Sequence, residues 1–157
     1  MSANDRTSVE DGAIDPGAVE LVERFPDANE YIALRVATGL SRKSPEAARR
    51  GVANTLYGVS LMHCGGEGGD TLVGMGRVVG DDGCFYLVVD VAVAPAWQGR
   101  GLGKRIMAAL DAWIRRTAPP SAHVSLFADG DARHLYAKYG FVETKQSVGM
   151  TYTIKAP

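Results

Sequence analysis

From Gln98 to Arg105 the chain reads Gln-Gly-Arg-Gly-Leu-Gly-Lys-Arg. Residues of these types and spacing suit the holding of phosphate. Gly99, Gly101 and Gly103 let the backbone turn tightly and approach another molecule without side chains in the way. Arg100, Lys104 and Arg105 add positive charge. Ile106, Met107, Leu110, Trp113 and Ile114 then recur at helical spacing, so the loop feeds a helix whose first amides lack intrahelical partners and sit at the positive end of its dipole. Two phosphate signatures fail on spacing. A Walker loop ending at Gly103-Lys104 needs Gly where Gln98 stands and Ser or Thr where Arg105 stands, and a dinucleotide fingerprint started at Gly99 needs its third glycine at Lys104. What remains is Gln98-x-x-Gly101-x-Gly103. Taken alone, it also reads as a tight strand-to-helix turn with no ligand.

The element before the loop, Phe85 to Val93, is a β-branched run interrupted by Asp90, which suits a strand buried on both faces. Pro95 ends it. At 157 residues, 46% hydrophobic and 22% charged, the chain is expected to form one core, with residues 1–16 a polar, mobile tail and residues 17–157 a single domain. Seventeen basic against eighteen acidic residues leave a net charge of −1, so no global field draws the chain to nucleic acid or anionic membrane. No apolar run is long enough to span a bilayer, and the N-terminus lacks the apolar core of a signal peptide. Cys64 and Cys84 stand in no metal-like spacing, which makes reduced thiols in a cytoplasmic setting the default.

The remaining elements follow from caps and periods. Val19 to Val22 make a first strand. Asp27 with Glu30 forms a capping box for a helix that Gly39 stops, and Ser44-Pro45-Glu46 starts a second helix ending near Val52 or Ala53. Leu56–His63 and Thr71–Val79 read as strands joined by the turn from Gly65 to Gly69, and Asp81-Asp82-Gly83 turns the chain into Phe85–Val93, giving an antiparallel meander. His123–Phe127 lies beyond the long helix and can run parallel to Phe85–Val93 by a right-handed crossover. Asp131 is expected to cap a helix of about two turns that Gly140 ends. Val142–Lys145 and Val148–Ile154 read as two last strands.

The strand ending Val93-Ala94-Pro95, the Gln98-x-x-Gly101-x-Gly103 loop and the long helix together resemble motif A of the GNAT acyltransferase superfamily. Leu135-Tyr136-x-x-x-Gly140-Phe141 resembles its motif B, in the right order and at a fitting distance. The resemblance covers nearly the whole chain beyond the tail and is loosest over the two N-terminal helices. It implies an α/β (α+β) fold: a mixed, mostly antiparallel sheet of about six to seven strands, helices on both faces, and central strands splayed around the cofactor. It also implies an N-acetyltransferase that moves an acetyl group from acetyl-CoA to an amine of a small molecule, amino acid or peptide, with no metal. A homodimer would be in keeping with relatives.

Carried onto this sequence, the resemblance assigns the pyrophosphate to the backbone of Gln98, Gly99, Arg100, Gly101, Leu102, Gly103 and Lys104, with Arg100 and Lys104 as charge. Backbone groups around Val91, Ala92 and Val93 would hold the pantetheine arm and polarise the thioester carbonyl, provided the strand diverges from His123–Phe127. Tyr136 is the family's general acid toward the departing thiolate. A phenol near pKa 10 facing a thiol near 8.5 makes full donation uphill by about 1.5 units, so Tyr136 acts mainly as a hydrogen-bond donor to the developing charge. Asp129 stands where the family often has an asparagine touching the cofactor arm; it can do the same or simply start the turn.

The incoming amine must also lose a proton. Relatives that keep a Glu or His base on the central strand hold it where Leu87 or Val89 stands here, and both are apolar. Strand alternation places Asp90 on the opposite face, where a buried, hydrogen-bonded structural role is the better reading, and proton loss through water is as credible as any side chain. Arg35 and Arg77 could meet an acceptor carboxylate but read better as pairing residues. Tyr139, Trp97 and Trp113 read as packing, and the Gln98 side chain as a cap on the loop. His63, His123 and His134 fall on separate elements. A non-catalytic acyl-CoA-binding module, supported by the missing strand base, and nucleotide binding through the same loop stay open beside the transferase.

Overall fold

Five strands lie side by side in the order in which they occur along the chain. The computed structural model describes residues 19–66 and 69–155. The strands are β1 (Val19–Val22), β2 (Tyr57–Gly66), β3 (Gly69–Gly80), β4 (Phe85–Val93) and β5 (His123–Leu126); the helices are α1 (Ala28–Ala37), α2 (Pro45–Ala53), α3 (Leu102–Thr117) and α4 (Ala132–Ala137). Strands β1 to β4 pair antiparallel, while β5 pairs parallel to β4 after the crossover through α3. The expected tail, residues 1–16, lies outside the described residues, as does the middle of the turn between β2 and β3. Among the described residues no helix is long and apolar enough to cross a membrane.

Local chemistry accounts for the helix boundaries. The Asp27 carboxylate accepts from the amides of Asn29 and Glu30 at 2.8 and 2.9 Å, and Glu30 accepts from the Asp27 amide at 3.1 Å, which completes the capping box. Ser44 accepts from the Ala47 amide at 3.2 Å with Pro45 in the first helical position. At the β3–β4 turn, Asp81 Oδ1 accepts from the amides of Gly83 and Phe85.

The core is double. Strand β3 is buried on both faces from Val73 to Val78. Ile106, Met107 and Leu110 of α3 cover one side of the sheet, and Tyr31, Ile32, Leu34 and Ala48 of α1 and α2 pack with Met75 and Ala92 on the other. Close approach of α3 depends on small residues in β3. A side chain built at Gly76 would collide with Ile106 Cγ2 and stand 3.2 Å from Leu110 Cδ1. Gly76→Val should therefore destabilise by about 1–3 kcal/mol, the cost of overpacking a core. The measurement is a denaturant titration of Gly76→Val, Ile106→Ala and the double variant; the double should lose less than the two single losses added together.

Two expectations fail. Among the described residues the sheet has five strands rather than six or seven, because Val142–Lys145 and Val148–Ile154 form no strand. Their alternation gives them strand character, but a strand exists only against a partner, and no strand among the described residues pairs with them. Asp131 does not cap α4 with its side chain; the first turn closes instead through the Ala132 amide on the Asp129 carbonyl at 3.1 Å. Gly140 does end the segment in the left-handed region, at φ +89°.

Candidate active site

After β4 the chain makes one 3-10 turn, Pro95–Trp97, and enters the glycine loop. Buried Trp97 and Leu102 anchor the two sides of the loop in the core. Gly99 and Gly101 are held at φ +74° and +77°, and a Cβ at either would meet no heavy atom within 4 Å. Both turns therefore face open space, and glycine is needed for their conformation rather than for lack of room. Gly101 is the N-cap of α3, and its carbonyl takes the first helical bonds, from the amides of Lys104 and Arg105. The amides of Leu102 and Gly103 precede those bonds and lie at the positive end of a sixteen-residue helix.

The side chains around the loop divide into those that brace it and those that can meet an anion. Gln98 Nε2 donates to the Val93 carbonyl at 2.9 Å, tying the loop back to the end of β4, as its expected capping role requires. Arg100 donates to the Ala96 carbonyl at 3.1 Å and lays its guanidinium 5.3 Å from the centre of the Trp97 ring. Arg105 donates to the Val19 carbonyl of β1 at 3.0 Å, a structural job that its place in the cationic run gave no sign of. Lys104 remains at the exposed start of α3.

The pairing of β4 with β5 ends where β5 itself ends. Parallel pairing runs from Phe85 opposite His123 to Val88 opposite Leu126 and stops there. β4 continues to Val93, held on its other side by β3, so Val91, Ala92 and Val93 have no strand partner toward β5 among the described residues. Ala92 faces the α1 side, whereas Val91 and Val93 pack toward α3.

Tyr136 belongs to α4, and α4 docks on the start of α3. Tyr139 donates its hydroxyl to the Lys104 carbonyl at 3.0 Å, and Leu135 lies 3.6 Å from where a Cβ of Gly103 would sit. Tyr139 thus has a docking role, within the packing expected of it. Tyr136 is only 9% exposed, with its ring edge-on to Phe141 at 6.4 Å. Burial, and next the charge of Asp129, raise its phenol above the ordinary value, so it stays protonated well into alkaline pH. Asp129 itself is exposed and starts the turn into α4.

Asp90 is the centre of a buried ionic cluster. Its carboxylate is 5% exposed, pairs with Arg35 of α1, and accepts from Arg77 Nε of β3 at 2.7 Å. The Tyr31 hydroxyl donates to it at 3.1 Å, with the phenol pKa raised first by burial and then by the Asp90 charge. The same arginines reach outward, Arg35 to the Ser41 carbonyl at 2.7 Å and Arg77 to the Gly51 carbonyl at 2.6 Å, stitching α1, α2 and the loop between them to the sheet. The structural role expected of Asp90 and the pairing role expected of the arginines both hold. The expected face does not. Asp90 sits at φ +58° in a bulge where the β3–β4 register slips between Met75 and Arg77. The extra residue breaks the alternation, turning Asp90 toward α1, the side that alternation gives to Leu87 and Val89, opposite buried Tyr86 and Val88. Asp and Asn tolerate this left-handed conformation better than other non-glycine residues.

Three comparisons bear on this arrangement. A family model described as an acetyltransferase (GNAT) domain matches residues 60–143. A solved structure from meticillin-resistant Staphylococcus aureus, described as a protein of unknown function and probable acetyltransferase, is 37% identical, covers 87% of this chain and 99% of its own, and superposes with a TM-score of 0.77. N-acetylglutamate synthase from Neisseria gonorrhoeae, solved with coenzyme A and L-arginine, shares the fold at a TM-score of 0.59 and 18% identity over 81% of this chain and 28% of its own. Among curated proteins, the uncharacterized N-acetyltransferase ycf52 of Porphyra purpurea is 35% identical over 77 residues, 49% of this chain and 43% of that protein. The chain spans less than half the length of the curated relatives it matches.

Proposed function

The chain belongs to the GNAT acetyltransferase family, and from that premise we propose that it moves an acetyl group from acetyl-CoA to the amine of a small molecule, amino acid or peptide. The observation that carries the reading is the opening of the sheet beside the glycine loop. Strand β4 runs on past its last pairing with β5 and ends in the two left-handed glycine turns at the start of α3. A solved neighbour of the same fold bound to coenzyme A supports the choice of ligand.

Within this reading, backbone amides from Gln98 to Lys104 hold the pyrophosphate, with Lys104 and Arg100 as charge. Backbone groups of Val91, Ala92 and Val93 line the pantetheine arm, and a β4 amide polarises the thioester carbonyl. The amine nitrogen bonds to the carbonyl carbon, the carbon–sulfur bond breaks, and Tyr136 hydrogen-bonds the leaving sulfur. A lysine-like amine is neutral at pH 7 in only about one molecule per two thousand. Leu87 and Val89 offer no base, and Asp90 is engaged by two arginines, so the amine proton leaves to water. Asp129 stands beside Tyr136 as a modulator of its proton.

Tyr136→Phe should lower kcat about tenfold to a hundredfold, below the full range of general acid catalysis, and leave acetyl-CoA binding unchanged. Because burial and Asp129 raise the Tyr136 pKa, deprotonation of the phenol would lower kcat only above pH 10, and Asp129→Asn should move that alkaline limb downward. A pH profile of kcat for the three proteins is the check; an unchanged limb in Tyr136→Phe would remove the phenol from the mechanism.

The absent strand base also favours a second reading, a module that binds acyl-CoA without chemistry. Calorimetry with acetyl-CoA, CoA and ATP, followed by thiol release with an amine library, separates the readings. Acetyl-CoA and CoA binding with thiol release supports the transferase, binding without release supports the module, and ATP binding alone would sink both.

A further inference from the structure

The cationic glycine loop has a counterpart at the junction of α1 and α2. Residues 42–50 hold Arg42, Lys43, Arg49 and Arg50 against one acid, Glu46, a local +3 in a chain whose net charge is −1. Arg50 takes Glu46, at 3.5 Å. Arg42, Lys43 and Arg49 have no ion-pair partner among the described residues; Arg42 and Arg49 are exposed and Lys43 is half-buried. Isolated surface cations are ordinarily just solvated, but the first two are attached to the site. Arg35, paired with Asp90 one residue before Val91, donates from Nε to the Ser41 carbonyl at 2.7 Å and from Nη2 to the Ser41 hydroxyl at 3.0 Å. Ser41 is thereby fixed beside β4, and Arg42 and Lys43 follow it directly. Its hydroxyl accepts from Arg35, which leaves its own proton to donate.

The transfer geometry proposed above gives these groups a task. Tyr136 packs with Val91, Val93 and α3, so the sulfur leaves on that side of β4. The amine reaches the carbonyl carbon from the other side, where Ala92 packs with α1 and α2. The rim of that side is the loop of residues 38–44. Cations there repel an ammonium group and attract a carboxylate or phosphate carried by the same molecule. They also bear on the missing strand base. Nearby positive charge favours the neutral form of an amine, so Arg42 and Lys43, with two arginines to one carboxylate in the buried cluster, ease the loss of the amine proton to water.

We propose that the acceptor is a small amine that also bears a carboxylate or phosphate, and that Arg42, Lys43 and the Ser41 hydroxyl hold that anion. One arginine side chain spans the gap from Ser41 to β4, so the anion and the reacting nitrogen belong to one compact molecule. The inference rests on the transferase reading.

The test uses the full chain at low salt, since exposed charges are screened at high salt. Calorimetry with acetyl-CoA comes first. Thiol release at saturating acetyl-CoA is then measured for amino acids against their amides, for phosphorylated amino alcohols against the parent amino alcohols, and for spermidine; the first two arms tell carboxylate from phosphate. The anionic member of a pair should have a kcat/KM about tenfold or more above its neutral partner. Arg42→Glu with Lys43→Glu should raise the KM of that anionic amine about tenfold and leave the KM for acetyl-CoA and the melting temperature unchanged. Release confined to neutral or cationic amines, an acceptor KM unmoved in the double variant, or a rise in the KM for acetyl-CoA instead would each overturn the acceptor assignment alone. No binding of acetyl-CoA, or binding without release by any amine, would overturn the transferase reading and the assignment with it.

Discussion

Gly101→Val should lower the affinity for acetyl-CoA by about a hundredfold to ten-thousandfold while the protein stays folded. The proposed pyrophosphate site consists of backbone amides, and a hydrogen bond to a charged group contributes about 1.5–3 kcal/mol. Losing two of them costs about 3–6 kcal/mol, or two to four powers of ten. Valine at this position fails on two counts. Gly101 holds φ +77°, a conformation that β-branched residues avoid at a cost of about 1–3 kcal/mol. Its Cβ would also project into the open space where the phosphate is placed. Gly103→Val separates these effects, since Gly103 has ordinary helical geometry and a Cβ there makes only van der Waals contact with Leu135 at 3.6 Å. Calorimetry alongside thermal melts decides. Two folded variants that both bind within about tenfold of the parent would put the pyrophosphate elsewhere.

Asp90→Asn should cost about 3–5 kcal/mol of stability, the usual result of removing one partner of a buried ion pair. In a chain of this size that lowers the melting temperature by roughly 10 °C or more. Asparagine is the right probe because it keeps the shape and tolerates φ +58°. The lost charge leaves Arg35 and Arg77 facing each other across a neutral amide in a site where both are below 10% exposed. For contrast, Glu46→Gln, which breaks the exposed Arg50–Glu46 pair at 3.5 Å, should change stability by no more than about 0.5 kcal/mol. The same variant speaks to chemistry. A catalytic base would show lost turnover with an unchanged melt; a structural carboxylate shows the reverse, and the reverse is the expected outcome.

What could be read from the sequence was what short range decides. Asp27 with Glu30, Ser44 with Pro45, and Asp81 with Gly83 each settle their own backbone within a few residues, and all three turned out as read. The glycine loop belongs with them, since its left-handed turns and its helix start are contiguous. Asp90 marks where this reasoning ends. A bulge arises when one strand slips against its partner, and Val-Val-Asp-Val-Ala-Val carries no trace of where β3 will slip. The count by twos then put the carboxylate on the wrong face although its buried, paired character was legible from its apolar neighbours. Arg105 is similar: its partner is a carbonyl of β1, remote in sequence. Residues 148–154 show the opposite failure, a correct period with no partner to pair against.

Because sheet order equals chain order, β1 to β5 can be laid down as they leave the ribosome. Every strand after the first meets a neighbour already synthesised, so the growing sheet has one advancing edge and never waits for a later segment to fill a gap. Two strands are delayed, β2 by α1 and α2 and β5 by α3, and in each case the edge that the strand joins is complete before the strand emerges.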